Sequence, residues 1–145
     1  MGFLSNLLNQ AEKAINSYTG DKLFLAGVAA AAANVTAADG SIDDAEINAA
    51  ISGMLANPIV SASYTASQIE EALNAALARA KSRAGRMENK RAIEALMTRD
   101  ISVRQDVFLI AADVADQDGI GQQERVVLAD IGKALNVDDN KLLAA

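Results

Sequence analysis

The sequence contains no cysteine and no histidine. Without cysteine the chain has no disulfide framework, no thiolate nucleophile and no zinc–thiolate site. Without histidine it also lacks the usual zinc ligand, the Ser–His pair and the commonest general base near neutral pH. The metal ligands that remain are oxygens of carboxylates, amides and carbonyls, which suit Ca²⁺, Mg²⁺ or Mn²⁺.

Proline and aromatic residues are scarce as well. The 145 residues include one proline and 3% aromatics, whereas 51% are hydrophobic, with alanine abundant. A core of Ala, Leu, Ile and Val suits closely packed helices better than strands. The length is typical of one domain, so the composition predicts a single all-α domain over 1–145.

Positive charge is in deficit, with a net charge of −6. This acidity argues against nucleic acid as the main partner. The longest apolar run, Leu23 to Ala38, is shorter than the about 20 residues of a membrane span. Residues 1–20 lack the pattern of a secretory signal, so we expect a cytoplasmic location.

Apolar residues recur at helical spacing along the whole chain. They predict an amphipathic helix over 1–20, a first half over 21–57, linking helices over 65–99 and a second half over 101–145. Within these parts, residues 58 to 64 are interpreted as a connection and Gly85 as a helix break. Ser102 with Gln105 is interpreted as the start of the second central helix. The 1–20 helix is expected to pack on the core, with binding to a membrane surface or a partner as the alternative.

An acidic turn occurs twice, each time after an apolar run. The first copy spans Asp39 to Glu46 and the second spans Asp118 to Glu124. The glycines Gly40 and Gly119 are 79 positions apart and the glutamates 78, so the second copy has lost one residue. The repeat predicts two helix-turn-helix units related by a pseudo-twofold axis. Their candidate metal ligands are Asp39, Asp43, Glu46, Asp116, Asp118 and Glu124.

Neither turn is a complete EF-hand loop. Asp39 to Glu46 matches the back half of such a loop, but Val35 and Ala37 stand where the first two side-chain ligands belong. In the second copy Gly121 replaces the middle acid and Arg125 stands at the twelfth position. Asp–Gly turns and acidic helix caps also form without any ion, so the turns have a purely structural interpretation as well.

The chain resembles the tellurite-resistance TerB family and its wider TerB-like domain from about Lys22 to Leu143. The resemblance rests on three stretches: the alanine-rich helix running into Ala37–Gly40 with Ile42 and Glu46, then Ala115–Gly119 with Glu124, and finally Ile131–Val137. It implies a compact fold of about seven helices built from two related halves. It also implies divalent-metal binding by Asp39, Glu46, Asp118 and Glu124, and the shortened second loop departs from the pattern.

Six of the thirteen basic residues lie between Arg79 and Arg91. An anion or an acidic partner is one interpretation of this cluster. The favoured one is a solvated corner whose first three cations stabilise a helix C-terminus.

Three classes of function remain. The first is a small cytoplasmic metal-binding or scaffold protein of a stress response, with tellurite resistance or phage defence as the associations that the resemblance implies. Its cation would be Ca²⁺ rather than Mg²⁺ or Mn²⁺, and its partners other proteins. Membrane-associated proteins of the tellurite-resistance system are among those partners, with a peripheral position at the inner membrane face as a variant.

The second class is a metal-independent interaction module whose acidic turns are only helix caps. The third, an acid–base hydrolase, is the least favoured, because no nucleophile, base or phosphate loop accompanies the acids. We therefore expect a protein that is not an enzyme.

Overall fold

The computed structural model describes residues 18–116 and 119–144, and all of the regular structure in these ranges is helical. The all-α prediction is confirmed, and the helix count is close to the about seven that were expected. Most of the predicted 1–20 helix, residues 1–17, lies outside the described ranges. The described helices are α1 (Lys22–Thr36), α2 (Asp44–Ala56), α3 (Pro58–Ser63), α4 (Ala66–Ala80), α5 (Arg83–Glu94), α6 (Ile101–Ala115), α7 (Gln122–Leu135) and α8 (Asp139–Ala144).

Helix α1 is the centre of the bundle. Its residues 29–33 are five consecutive alanines that are fully buried, and α1 packs most extensively against α4, α5 and α6. Alanine keeps a helix thin, so neighbours can approach it from several sides at once. Gly27 extends this close packing, since a Cβ at that position would collide with the Leu96 side chain. The small residues of α1 thus explain why this helix is buried on nearly all sides.

Two helix-turn-helix units, α1–α2 and α6–α7, form the predicted halves. Their first helices, α1 and α6, pack against each other. Helix α2 also contacts α6, while α7 also contacts α1. This reciprocal packing is what an approximate twofold relation between the units produces, and it brings the C-terminal ends of α1 and α6 together.

The prediction of a plain connection over 58 to 64 is wrong, because α3 occupies Pro58–Ser63. Asn57 is both the C-cap residue of α2 and the N-cap residue of α3. Its side-chain oxygen accepts hydrogen bonds from the backbone N–H of Ile59 (3.0 Å) and of Val60 (3.3 Å). Proline at the first helical position already has the φ angle a helix requires, so the only proline in the chain starts a helix here.

The predicted break at Gly85 is also misplaced. Helix α4 ends at Ala80, and Ser82 caps α5 by accepting a hydrogen bond from the Gly85 N–H at 3.0 Å. Gly85 lies inside the first turn of α5, where a Cβ would collide with the Arg79 backbone. The glycine therefore allows two successive helices to approach closely, and the break itself is made by Lys81 and Ser82.

Helix α6 starts one residue before the predicted Ser102. Asp100 is its N-cap residue, with no capping hydrogen bond from its side chain, and Ile101 is the first helical residue. Ser102 and Gln105 lie within the helix. None of the described helices combines the length and apolar character needed to cross a lipid bilayer.

Candidate cation site between the two turns

The first acidic turn links α1 to α2. Gly40 has a φ of 90°, a conformation that side chains disfavour, and the Asp39 side chain accepts a hydrogen bond from the Ser41 N–H at 3.1 Å. Asp43 then caps α2, because its carboxylate accepts the Glu46 N–H at 2.8 Å. The side chain of Glu46 itself hydrogen-bonds with the side chain of Asp43.

The second turn links α6 to α7, and the start of α7 is capped in a different way from the start of α2. Gly119 repeats the positive φ, at 85°. At the position of Asp43, however, the chain has Gly121, which offers no side-chain acceptor to the start of α7. Glu124 reaches back instead, and its Oε1 accepts the Gly121 N–H at 2.9 Å. The repeated glutamate has thus become a structural cap in the second turn.

A cavity of about 280 Å³ lies between the two turns, and we call it the inter-turn pocket. The first turn contributes Asp39 and Glu46 to its lining, and the second contributes Glu124. The ends of the central helices supply apolar walls, including Val35 and Val114. Because α1 and α6 end side by side, carboxylates 78 or more positions apart in sequence face one space.

The charges in this pocket are of one sign. The pKa of Glu46 is raised, first by partial burial and then by the negative charges of Asp39, Asp43 and Glu124. Neither Lys nor Arg pairs with these carboxylates in the described ranges. A bound cation would relieve the repulsion by favouring the ionised forms.

The six predicted ligands therefore separate into groups. Asp39, Glu46 and Glu124 line the inter-turn pocket, and Asp43 lies beside it as the cap of α2. Asp116 is the exposed C-cap residue of α6 and is not part of the pocket lining. The pKa of Asp113 is raised chiefly by burial of its carboxyl and, to a smaller extent, by the charge of Asp116. Asp118 lies outside the described residues.

Within residues 18–116 and 119–144, no three acidic side chains are close enough to form a ready metal cage. Ca²⁺ takes six to eight oxygen ligands, so a cation in the pocket would draw on backbone carbonyls and water in addition to the carboxylates. Such a site is expected to be weak. Asp39, Asp43 and Glu124 each accept a backbone N–H with one oxygen, and the Glu46 side chain hydrogen-bonds with Asp43, so a cation would share these carboxylates with their present partners.

The opposite end of α1 carries a second polar cluster, which the sequence did not predict. Tyr18 donates a hydrogen bond to Asp106 Oδ2 at 2.7 Å, and Arg99 binds both oxygens of Asp21, the nearer at 2.6 Å. The Tyr64 hydroxyl donates to the Asp21 backbone carbonyl. The partners are 43 to 88 positions apart, so no local sequence motif predicts these contacts. We call these residues the N-terminal cluster.

No family model, curated protein or solved structure matches this chain. The resemblance to the TerB family accordingly stays a prediction that rests on the paired motifs in the sequence.

Proposed function

We propose that the inter-turn pocket binds a hard divalent cation, Ca²⁺ in preference to Mg²⁺ or Mn²⁺. The protein would then be a small cytoplasmic metal-binding or scaffold protein of a stress-response system, as the TerB resemblance implies. The observation that carries this proposal is that Glu46 and Glu124, from different helix-turn-helix units, face one cavity together with Asp39.

The electrostatics of the pocket support the same proposal. Partial burial and three neighbouring negative charges raise the Glu46 pKa. Glu46, whose ionised form is disfavoured in the fold, gains from a positive charge bound beside it. Because the carboxylates come from both units, a shared ion would also tie α1–α2 to α6–α7, which is how a cation could regulate the contact of this protein with a partner.

The test is a divalent-cation titration followed by thermal unfolding, on the natural protein and on Asp39→Asn combined with Glu46→Gln. Asparagine at 39 keeps an oxygen for the Ser41 N–H, so this variant removes charge and leaves the turn hydrogen bond possible. With Ca²⁺ tenfold above Kd, the natural protein should gain about 1.4 kcal/mol. The double variant should gain much less, although without metal it should be the more stable of the two.

The matched control is Glu70→Gln with Glu71→Gln, which removes two carboxylates from the exposed surface of α4. This control should keep the full response to Ca²⁺. Equal melting of the natural protein and the Asp39/Glu46 variant at every ion concentration would refute the cation site.

The second candidate function is a metal-independent interaction module. It is favoured by the structural tasks that three of the acids already perform: Asp39 in its turn, Asp43 as cap and Glu124 as cap. Glu124→Gln separates the two candidates, because glutamine preserves the cap and removes the charge. An interaction module tolerates this change, whereas the cation site loses affinity in the same titration.

A further inference from the structure

A second cavity, of about 470 Å³, runs between α5 and α7. We call it the α5–α7 groove. Asn34, Ala37 and Ala38 at the end of α1 contribute to its lining, whereas Val35, Thr36 and Asp39 of the same stretch line the inter-turn pocket. The two cavities therefore lie on different faces of this stretch of chain.

The α5 wall of the groove is basic. Arg83, Arg86 and Lys90 line it, and among the described residues Asp130, on the α7 side, is the one carboxylate in the lining. Asp130 binds Lys90 at 3.3 Å, but both side chains are substantially exposed, at 54% and 34%, so this ion pair is weak. Arg83 is exposed and pairs with no carboxylate in the part of the chain that the structure describes. The groove is thus a positive site on a protein whose net charge is −6.

Apolar side chains stand beside these cations. Met87 on α5 is 49% exposed and Val126 on α7 is 66% exposed, which is the largest exposure of any large hydrophobic residue described. Val127 is half-buried next to them. Methionine adapts its shape to different partners, and exposed apolar residues that share a groove are typical of binding surfaces.

The basic wall is held in place by a buried hydrogen-bond network. Asn89 is fully buried; it accepts from Arg79 Nε at 2.9 Å and donates to Asn34 Oδ1 at 3.0 Å. Asn34 in turn donates to the Arg86 carbonyl at 3.2 Å, and the Arg86 guanidinium donates to the Ala80 carbonyl at 2.9 Å. A groove whose wall is already fixed loses little conformational entropy when a ligand binds.

We propose that the α5–α7 groove docks an acidic amphipathic segment of a partner protein. Its carboxylates pair with Arg83 and Lys90, and its apolar side chains cover Met87 and Val126. Charge complementarity selects this occupant. A membrane or a nucleic acid would bring an extended anionic surface against the acidic remainder of the protein, whereas a slender peptide meets only the potential within about 10 Å of the groove.

The probe is a short synthetic peptide with Leu at helical spacing and Glu beside it, labelled with fluorescein and followed by anisotropy. Its counterpart with Lys in place of Glu is tested alongside. The buffer contains a chelator, so that the result does not depend on the proposed cation site. The acidic peptide should bind, with an affinity that falls as salt is added, and any binding of the Lys counterpart to the acidic surface should not be weakened by Arg83→Glu.

Two pairs of variants locate the binding. Arg83→Glu should weaken it by about tenfold or more. This change leaves the fold intact, because an acidic residue at the start of α5 suits the helix dipole. Lys22→Glu is the matched control, since it makes the same charge change at the first residue of α1. Likewise, Val126→Ser should weaken binding. The control Leu23→Ser should not, because Leu23 is similarly exposed but lies at the N-terminal end of α1, away from the groove.

Three results would overturn the proposal. The first is no binding of the acidic peptide at concentrations up to about 1 mM. The second is equal weakening by Arg83→Glu and Lys22→Glu, which would indicate unspecific charge attraction. The third is Arg83-dependent binding of phosphatidylserine vesicles or single-stranded DNA when the peptide does not bind, which would assign the groove to a different kind of partner.

Discussion

The two ends of α1 gather acidic side chains in opposite electrostatic settings. At its start, Asp21 binds Arg99, and Asp106 of α6 accepts the Tyr18 hydroxyl. At its far end, Asp39, Glu46 and Glu124 face one pocket without a described cation beside them. The pKa of Asp21 is accordingly lowered, chiefly by the hydrogen bond from Arg99, whereas the pKa of Glu46 is raised.

The difference separates an end whose acids have partners within the protein from an end whose acids would receive the cation proposed above. The N-terminal cluster pairs Asp21 with Arg99 and Asp106 with Tyr18, so at neutral pH it stabilises the bundle without any added ion. The inter-turn pocket has charges that remain uncompensated, so its contribution to stability depends on pH and on added cations. Three substitutions sharpen this contrast.

The largest effect is expected from Asp21→Ala. It removes the cap of α1, worth about 1 kcal/mol, and the charge-assisted contact with Arg99, worth about 1–2 kcal/mol at this partly exposed site. Thermal and urea unfolding at neutral pH should therefore show a loss of roughly 2–3 kcal/mol. Asp21→Asn is the control: it keeps an acceptor for the Phe24 N–H and should lose only the ionic part.

The pH dependence of the Asp21 variants checks the sign of the contact. The folded-state pKa of Asp21 lies below its unfolded value, so its stabilisation is present above the unfolded pKa and disappears as pH falls through the folded pKa. The gap between natural protein and Asp21→Asn should close in acid. A gap that stays constant at all pH values would contradict the ionic role of this residue.

A smaller loss, about 1–2 kcal/mol, is expected from Tyr18→Phe. The ring remains stacked on Phe24, with centroids 3.8 Å apart, so only the hydrogen bond to Asp106 is lost. Burial already raises the Asp106 pKa, and the Tyr18 hydrogen bond partly opposes that rise. Without this bond the ionised carboxylate is less stable, so the loss measured at pH 7 should exceed the loss in acid. A loss that is independent of pH would indicate a packing effect.

The smallest effect, and one of opposite sign, is expected from Glu46→Gln in the presence of a chelator. The raised pKa means that the folded protein holds the Glu46 proton more tightly than the unfolded chain. The contribution of Glu46 to stability is therefore fully present below the unfolded pKa and is lost as pH rises through the folded pKa. Glutamine removes that loss, so the melting temperature at pH 7 should increase, with no increase in acid. A lower melting temperature at pH 7 would show that the Glu46 carboxylate stabilises the metal-free fold.

The comparison also shows where local sequence patterns are reliable. Thr65 and Gln68 form a capping box, Asp21 caps α1 and Asp43 caps α2. Gly40 has the positive φ that an Asp–Gly turn favours. These features depend on residues within four positions of each other, so the sequence contains all of their determinants. Gly85 and the stretch from 58 to 64 were misinterpreted, because their structure depends on which backbone comes near them and on which neighbour caps them.

The sequence alone determined the helical class, the caps, the buried alanine helix and the repeat of an acidic turn, because periodicity and spacing encode local structure. Only the tertiary structure decided that α1 and α6 end side by side, which makes Asp39, Glu46 and Glu124 neighbours. It also decided that Asp106 meets Tyr18, and that Arg83, Lys90 and Val126 share a groove. The physical reason is that these contacts join residues far apart in the chain, and packing of the alanine-rich α1 sets the distances between the helices that carry them.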